Sequence, residues 1–331
     1  MTITHQILGQ PGRDNALLVK VDSGQSVNRL LFDCGEGCLS QLAISEVQAI
    51  DKLLFSHLHM DHVGGFDSFF RCTFGRDTKP NEIYGPVQTA NTMHHRFQGF
   101  WWNLTDGLTA SWQVHDVTED SIATGRFESS EAFRTHYPED PKQHTGVIIN
   151  EPDYEVRVIQ LQHNGPSLGY RVDEKPKTNI DTNKIAELNL TPGPWIRELK
   201  NQTEGSIEVG GQTWAVQELR ASLLTETAGG SIAYLTDFLL DQTTHARLGE
   251  WLQGCETVIC ESQYRHEDLE LAVRNHHTTT KLVGRMAADA NIEQLVLFHL
   301  SERYSRDEWA EILADCQAEF PNTSFCDTWE L

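Results

Sequence analysis

No apolar run in the 331-residue chain approaches the ~18 residues that a membrane-spanning helix needs, which excludes a helical membrane protein. Basic residues are scarce. There are 26 Lys and Arg against 48 Asp and Glu, a net charge of −22. A chain this acidic neither coats nucleic acid nonspecifically nor lies on anionic lipid. Any nucleic-acid partner must be held locally, by a metal centre or a small basic patch. The seven cysteines are odd in number and form no C-x-x-C pair, Cys34 and Cys38 being the nearest neighbours. They read as reduced, packed thiols rather than a disulfide framework. Met1 to Gly12 lack the basic and apolar regions of a secretory signal, so the expected location is cytoplasmic. No internal repeat or low-complexity tract is present. What the chain does hold is 39% hydrophobic residues, ample for a large core, and fifteen histidines, many for an acidic protein.

Short apolar runs predict strands at Ala16–Val21, Arg29–Phe32, Lys52–Ser56, Tyr154–Gln162, Ser231–Thr236, Thr257–Cys260 and Gln294–Phe298. A helix is expected over Thr278–Ala290, with Leu282, Val283, Met286 and Ala290 on one face. The closing helix runs from about Ser305 to Phe320, opened by a Ser305/Glu308 capping box and stopped by Pro321. Strands in clusters, with helices between and after them, predict two sheets flanked by helices in one domain, 1–331. Residues 116–155 hold ten acids against three bases and read as an acidic surface insertion, a loop region with its own helix. Residues 171–205 hold six acids, six bases and Pro192-Gly193-Pro194. Pro-Gly-Pro fits neither a helix interior nor a central strand, so this is an arm-like excursion.

Four of the strands end on a metal-capable residue: His57, His163, Asp237 and His299. One instance is unremarkable, but four suggest strand ends converging on one rim. The first is dense, His57-Leu58-His59-Met60-Asp61-His62. On an extended segment His57 and His59 point the same way. Asp61 and His62 follow where the chain turns, and Gly64-Gly65 permits close approach. Imidazoles with a carboxylate suit zinc, with manganese or iron as alternatives. Four such residues in six crowd one tetrahedral ion and fit two neighbouring ions. With His163, Asp237 and His299 the set reaches seven, about right for a two-metal site with an open water position. A surface histidine cluster is the plain alternative, and the glycines and matching distant residues weigh against it. Taken singly, His163 or His299 could be a satisfied buried histidine and Asp237 a helix N-cap.

H-x-H-x-D-H, with Phe32-Asp33-Cys34-Gly35-Glu36-Gly37 upstream, resembles the metallo-β-lactamase superfamily, and within it ribonuclease Z, the tRNA 3′-processing endonucleases. His163 with Leu168-Gly169-Tyr170-Arg171, the Thr191-Pro192-Gly193-Pro194 arm, Cys260-Glu261-Ser262-Gln263, His277-Thr278-Thr279 and Phe298–Tyr304 resemble later motifs of that family. The segment Gln10–Asn15 is shorter than its counterpart and lacks a lysine, and Thr236 stands where the family has Gly before Asp237.

The resemblance implies an α/β fold, a four-layer αβ/βα sandwich with a protruding arm. It implies two Zn2+, His57, His59 and His163 holding one and Asp61, His62 and His299 the other, with Asp237 bridging. A water between two such ions is hydroxide near neutral pH and attacks a phosphodiester. Asp61 would orient or deprotonate it. His277 is the candidate proton donor to the leaving oxygen, with helix N-terminal packing as its alternative role. Asp33 would brace the histidine loop. Phe97, Phe100, Trp101 and Trp102 suit core packing better than base stacking. The expected function is a binuclear zinc phosphodiesterase acting on precursor tRNA, with a homodimer as the family's usual assembly. The alternatives are a diesterase for small or cyclic-nucleotide substrates, a lactone or thioester hydrolase of the same fold, and a noncatalytic scaffold.

Overall fold

Along the strand Ala16–Asp22, Leu17, Val19 and Val21 join one hydrophobic cluster while Ala16 and Leu18 join another. Period-two alternation therefore gives this strand two buried faces, as a sheet covered on both sides requires. The computed structural model describes residues 3–329. The strand belongs to a nine-stranded sheet, which in spatial order begins Ile3–Leu8, Ala16–Asp22, Val27–Phe32 and Lys52–Leu54. It continues through Asn81–Pro86, Ser111–Val117 and Ser121–Glu128 to the short strands Tyr137–Pro138 and Lys142–Gln143. A seven-stranded sheet holds Val147–Asn150, Tyr154–Gln162, Pro166–Glu174, Ser231–Leu235, Thr257–Glu261, Gln294–Phe298 and Thr323–Phe325.

The sheets pack face to face through the first cluster. The Phe32 ring lies 5.5 Å from Tyr170 and 5.7 Å from Tyr234, across the gap between them. The outer face of the nine-stranded sheet is covered by Phe66, Phe69 and Phe70 of the helix Phe66–Thr73, with Met93 and Phe97 of Thr89–Phe97. The other sheet buries Val283, Met286 and Ala287 of Thr280–Asp289, with Ile312 and Cys316 of Arg306–Glu319. Helix, sheet, sheet, helix is the αβ/βα sandwich. Ser305 caps the closing helix with the capping box read from its sequence, the Ser305 backbone N–H donating to Glu308 Oε2 at 2.8 Å. Among the described residues all seven cysteines are unpaired, and no helix is long and apolar enough to cross a membrane.

Two expectations need correction. Residues 116–155 are built mostly of strands rather than of a long loop, with a one-turn 3-10 helix, Ser129–Glu131, as their helical piece: Ser121–Glu128 pairs along Ser111–Val117 inside the sheet. Glu119 and Asp120 occupy the exposed turn between them, so counting acids masked the alternation that buries Val117 and Phe127. The excursion expected over 171–205 is a second compact unit, Glu174–Gly229. It leaves and returns between paired strands, since Asp173 lies opposite Ser231. It has its own core, in which Ile185, Trp195 and Leu199 meet Ile207, Val216 and Leu219. Arg220 donates to the Leu199, Lys200 and Gln202 carbonyls and so closes the end of the helix Trp195–Asn201. The core needs its later half, which is why the unit does not stop at 205. Pro194 caps that helix from outside, consistent with its exclusion from any helix interior.

Candidate metal centre

The two sheets end on a common rim, and there the chain turns sharply. Asp33, Asp237 and His299, each directly after or near a strand end, have φ of 57°, 49° and 53°. Such left-handed backbone at non-glycine residues costs on the order of 1–3 kcal/mol and gathers at functional sites. Close approach sets the rest. The Gly65 N–H donates to the Cys34 carbonyl at 2.8 Å, and a Cβ on Gly65 would stand 2.2 Å from the Gly35 oxygen. Only glycine lets the turn after His62 nest against the Asp33 loop.

All seven residues singled out as ligands meet here. One ligand atom each from His57, His59 and His163 lies within 4.8 Å of the others, and the same holds for Asp61, His62, Asp237 and His299. Asp237 faces both groups. Its Oδ2 is 3.8 Å from His57 Nε2 and 3.5 Å from His163 Nε2. Its Oδ1 is 3.5 Å from both His62 Nε2 and His299 Nε2. Asp61 Oδ2 is 3.4 Å from His62 Nε2 and 3.7 Å from His299 Nε2.

These separations are long for hydrogen bonds. They suit atoms that share an ion, because two ligands each about 2.0–2.1 Å from one tetrahedral metal stand about 3.3 Å apart. The outward nitrogens are already engaged. His57 Nδ1 meets Ser56 Oγ at 3.0 Å, His62 Nδ1 meets Asp33 Oδ2 at 2.8 Å, and His163 Nδ1 donates to the His276 carbonyl at 2.9 Å. The inward Nε2 atoms of His57 and His62 are buried and without a hydrogen-bond partner among the described residues. Orphaned inward nitrogens with braced outward ones are what a divalent ion would satisfy.

The charges agree. Burial and the neighbouring imidazoles push His57 down to about 2, so its lone pair is free. Despite burial, His299 and His62 hold the Asp237 carboxyl well below the usual carboxylate range. Burial opposes a charge on His62, but Asp237 and Asp33 outweigh it and raise that imidazole well above its ordinary value. The pocket therefore attracts positive charge, which a cation supplies.

Asp33 is fully buried and accepts four hydrogen bonds: from Ser56 N–H and Oγ at 2.7 Å each, from Tyr234 OH at 2.8 Å, and from His62 Nδ1 at 2.8 Å. It braces His62 from behind. His277 also reaches the site. One ligand atom of His277 lies within 4.8 Å of those of His163 and Asp237, and its Nδ1 donates to Glu261 Oε2 at 2.8 Å. Burial alone would lower its pKa, but Glu261 outweighs that and raises it. The four aromatics behave as packing groups in part: Phe97 is core, whereas Trp101 is 88% exposed. A cleft of about 290 Å³ opens beside Asp61 and His299, walled by Arg13, Asn15, Gln263 and Ser301.

Sequence reasoning gave no role to Ser56, Tyr234, Glu261 or Gln263. Glu261 was findable, because Thr257–Glu261 is another apolar strand ending on an ionisable residue. Tyr234 carried no such signal; it looks like core until its hydroxyl is placed.

An αβ/βα sandwich with this histidine and aspartate cluster on its rim is a metallo-β-lactamase fold hydrolase suited to divalent metal. Solved structures agree on the fold. The metallo-β-lactamase fold protein YhfI of Bacillus subtilis aligns over 98% of this chain and 96% of its own, with TM-score 0.57 and 12% identity. The short form of human tRNase Z aligns over 92% and 94%, with TM-score 0.53 and 18% identity. A family model described as anti-Pycsar protein Apyc1 matches residues 13–157. A protein of Deinococcus radiodurans named ribonuclease Z is 47% identical over 323 residues, 98% of this chain and 97% of that protein. The chain belongs to the ribonuclease Z family and is a hydrolytic enzyme.

Proposed function

We propose that this protein is an endonuclease that removes 3′ trailers from precursor tRNA, using two divalent ions, zinc in the first instance. The observation that carries the reading is the complete ligand set on the rim of a chain 47% identical, over 98% of its length, to a ribonuclease Z. His57, His59 and His163 would hold one ion, and Asp61, His62 and His299 the other, with Asp237 serving both. When bound, the ions supply positive charge against the phosphodiester and an acidified water. Asp61, its side chain 47% exposed, is open to substrate and would orient the attacking water; despite partial burial, the neighbouring His299 and His62 hold its carboxyl well below the usual carboxylate range, so it stays ionised. Asp33 keeps a proton of His62 on Nδ1, so that Nε2 is the nitrogen that would meet an ion. Glu261 holds His277 by Nδ1 and favours its protonated form, so that His277 Nε2 donates a proton to the leaving 3′ oxygen. A homodimer is the family's assembly and is part of this reading.

One observation favours a second reading, a small phosphodiester substrate. The unit Glu174–Gly229 has six basic residues against eight acidic ones, so it offers no net positive charge to RNA. The test is cleavage of a precursor tRNA with a defined 3′ trailer, beside bis-p-nitrophenyl phosphate. Each is run with chelator-treated protein and after reloading with Zn2+ or Mn2+. Trailer release only after reloading supports the endonuclease. Hydrolysis of the small diester with intact tRNA replaces it with the second reading.

A further inference from the structure

The two oxygens of Asp237 are not equivalent. Oδ1 accepts a hydrogen bond from Thr236 Oγ1 at 2.6 Å, and the same Oδ1 faces His62 Nε2 and His299 Nε2, each at 3.5 Å. Oδ2, on the other side, faces His57 and His163. Thr236 is fully buried, so its hydroxyl has no water to turn to. Its place in the chain is defined by the neighbours. The Thr236 carbonyl accepts from Ser167 Oγ at 3.4 Å, and the Phe238 N–H donates to Glu261 Oε1 at 2.7 Å. Between these anchors Asp237 has a left-handed φ of 49°, which orients the start of its side chain but leaves the rotation of the carboxylate plane unspecified.

A carboxylate that serves two ions must keep one oxygen toward each. Rotation about its last bond would swap or tilt them at little cost. We infer that Thr236 is a positioning residue: its hydroxyl locks the plane of Asp237 so that Oδ1 is delivered to the Asp61, His62 and His299 side. This rests on the metal-centre reading above. The glycine that the family resemblance places before this Asp has no hydroxyl, so the lock belongs to this chain's own sequence. A carboxylate ligand oriented by a hydrogen-bonding partner binds its ion more tightly, and loss of such a partner typically costs about 10–100-fold in affinity. The loss should be larger for the ion on the Oδ1 side, because Thr236 bonds only Oδ1 while the His57, His59 and His163 group keeps three imidazoles of its own.

The experiment compares wild-type protein, Thr236→Val and Thr236→Ser, each stripped of metal. Valine keeps the shape and removes the hydroxyl; serine keeps the hydroxyl. Co2+ is titrated by visible absorption and Zn2+ by calorimetry. Wild type and Thr236→Ser should show two equivalents of matching affinity. Thr236→Val should weaken one equivalent by about 10–100-fold and the other by clearly less, with the larger change in the Co2+ spectrum on the weakened equivalent. Two unchanged equivalents in Thr236→Val overturn the inference, as does equal weakening of both. Failure of wild type to bind two equivalents would instead overturn the metal-centre reading, a distinct result.

Discussion

Asp33 offers a stringent test of how the centre is held, because one buried carboxylate receives four donors and touches no proposed ion. Consider Asp33→Asn, which preserves shape. A carboxylate accepts only, so His62 must carry a proton on Nδ1, and Nε2 is the nitrogen left for an ion to take. Asparagine presents one NH2. Placed where Oδ2 stands, it meets the Tyr234 and Ser56 hydroxyls, which can rotate, and His62 Nδ1, which must then accept. The proton moves to Nε2 and points where an ion belongs. Placed where Oδ1 stands, it confronts the Ser56 backbone N–H, 2.7 Å away, donor against donor. Three surviving bonds change from charged to neutral acceptors at about 1 kcal/mol each, and one mismatched donor costs about 1–3 kcal/mol. The sum is about 4–6 kcal/mol, a large share of the ~5–15 kcal/mol that holds a domain together. Urea unfolding of metal-free protein measures the stability, which removes the contribution of bound ions. Elemental analysis after reloading measures the ions retained. If Asp33→Asn unfolds within about 1 kcal/mol of wild type and still retains two equivalents of metal, the bracing role assigned to Asp33 is wrong.

Three further outcomes are expected. His277→Ala should keep its metals by elemental analysis and lower kcat by about 10²–10⁴ on a substrate with a poor leaving group; full activity there removes the proton-donor assignment. His115, buried against Tyr84 with its Nδ1 on Thr124, is pushed down to about 4 by burial and by Lys52 and Lys142. It is neutral when folded and takes a proton near 6.5 when unfolded, so its contribution, at most about 3 kcal/mol, is present above pH 6.5 and lost as pH falls toward 4. His115→Phe should flatten that part of a stability-against-pH curve, and an unchanged slope refutes it. Finally, Asp173 and Ser231 are register partners, so replacing Lys175–Ala228 by a short glycine linker should leave the sandwich folded and bis-p-nitrophenyl phosphate hydrolysis intact. Precursor tRNA cleavage should fall at least tenfold, and unimpaired cleavage would show that this unit has no part in holding tRNA.

The chain by itself determined whatever depends on neighbours in sequence. His57, His59, Asp61 and His62 were legible because six consecutive residues carry the pattern and an extended backbone puts alternate side chains on one side. The strands before His163, Asp237 and His299, and the Ser305–Glu308 cap, are equally local. Tertiary structure alone decided who braces whom. Tyr234 meets Asp33 across 201 residues of sequence, and Ser56 meets it across 23, because the two sheets are stacked and their strand order sets those neighbours. The same holds for Thr236, whose hydroxyl matters only once Asp237 stands between two groups of histidines. It holds also for the end of the second unit, where Leu219 and Leu223 of a short helix gain meaning only by closing a core begun at Ile185. Periodicity reports which face of an element is buried; it does not report which distant residue will cover it.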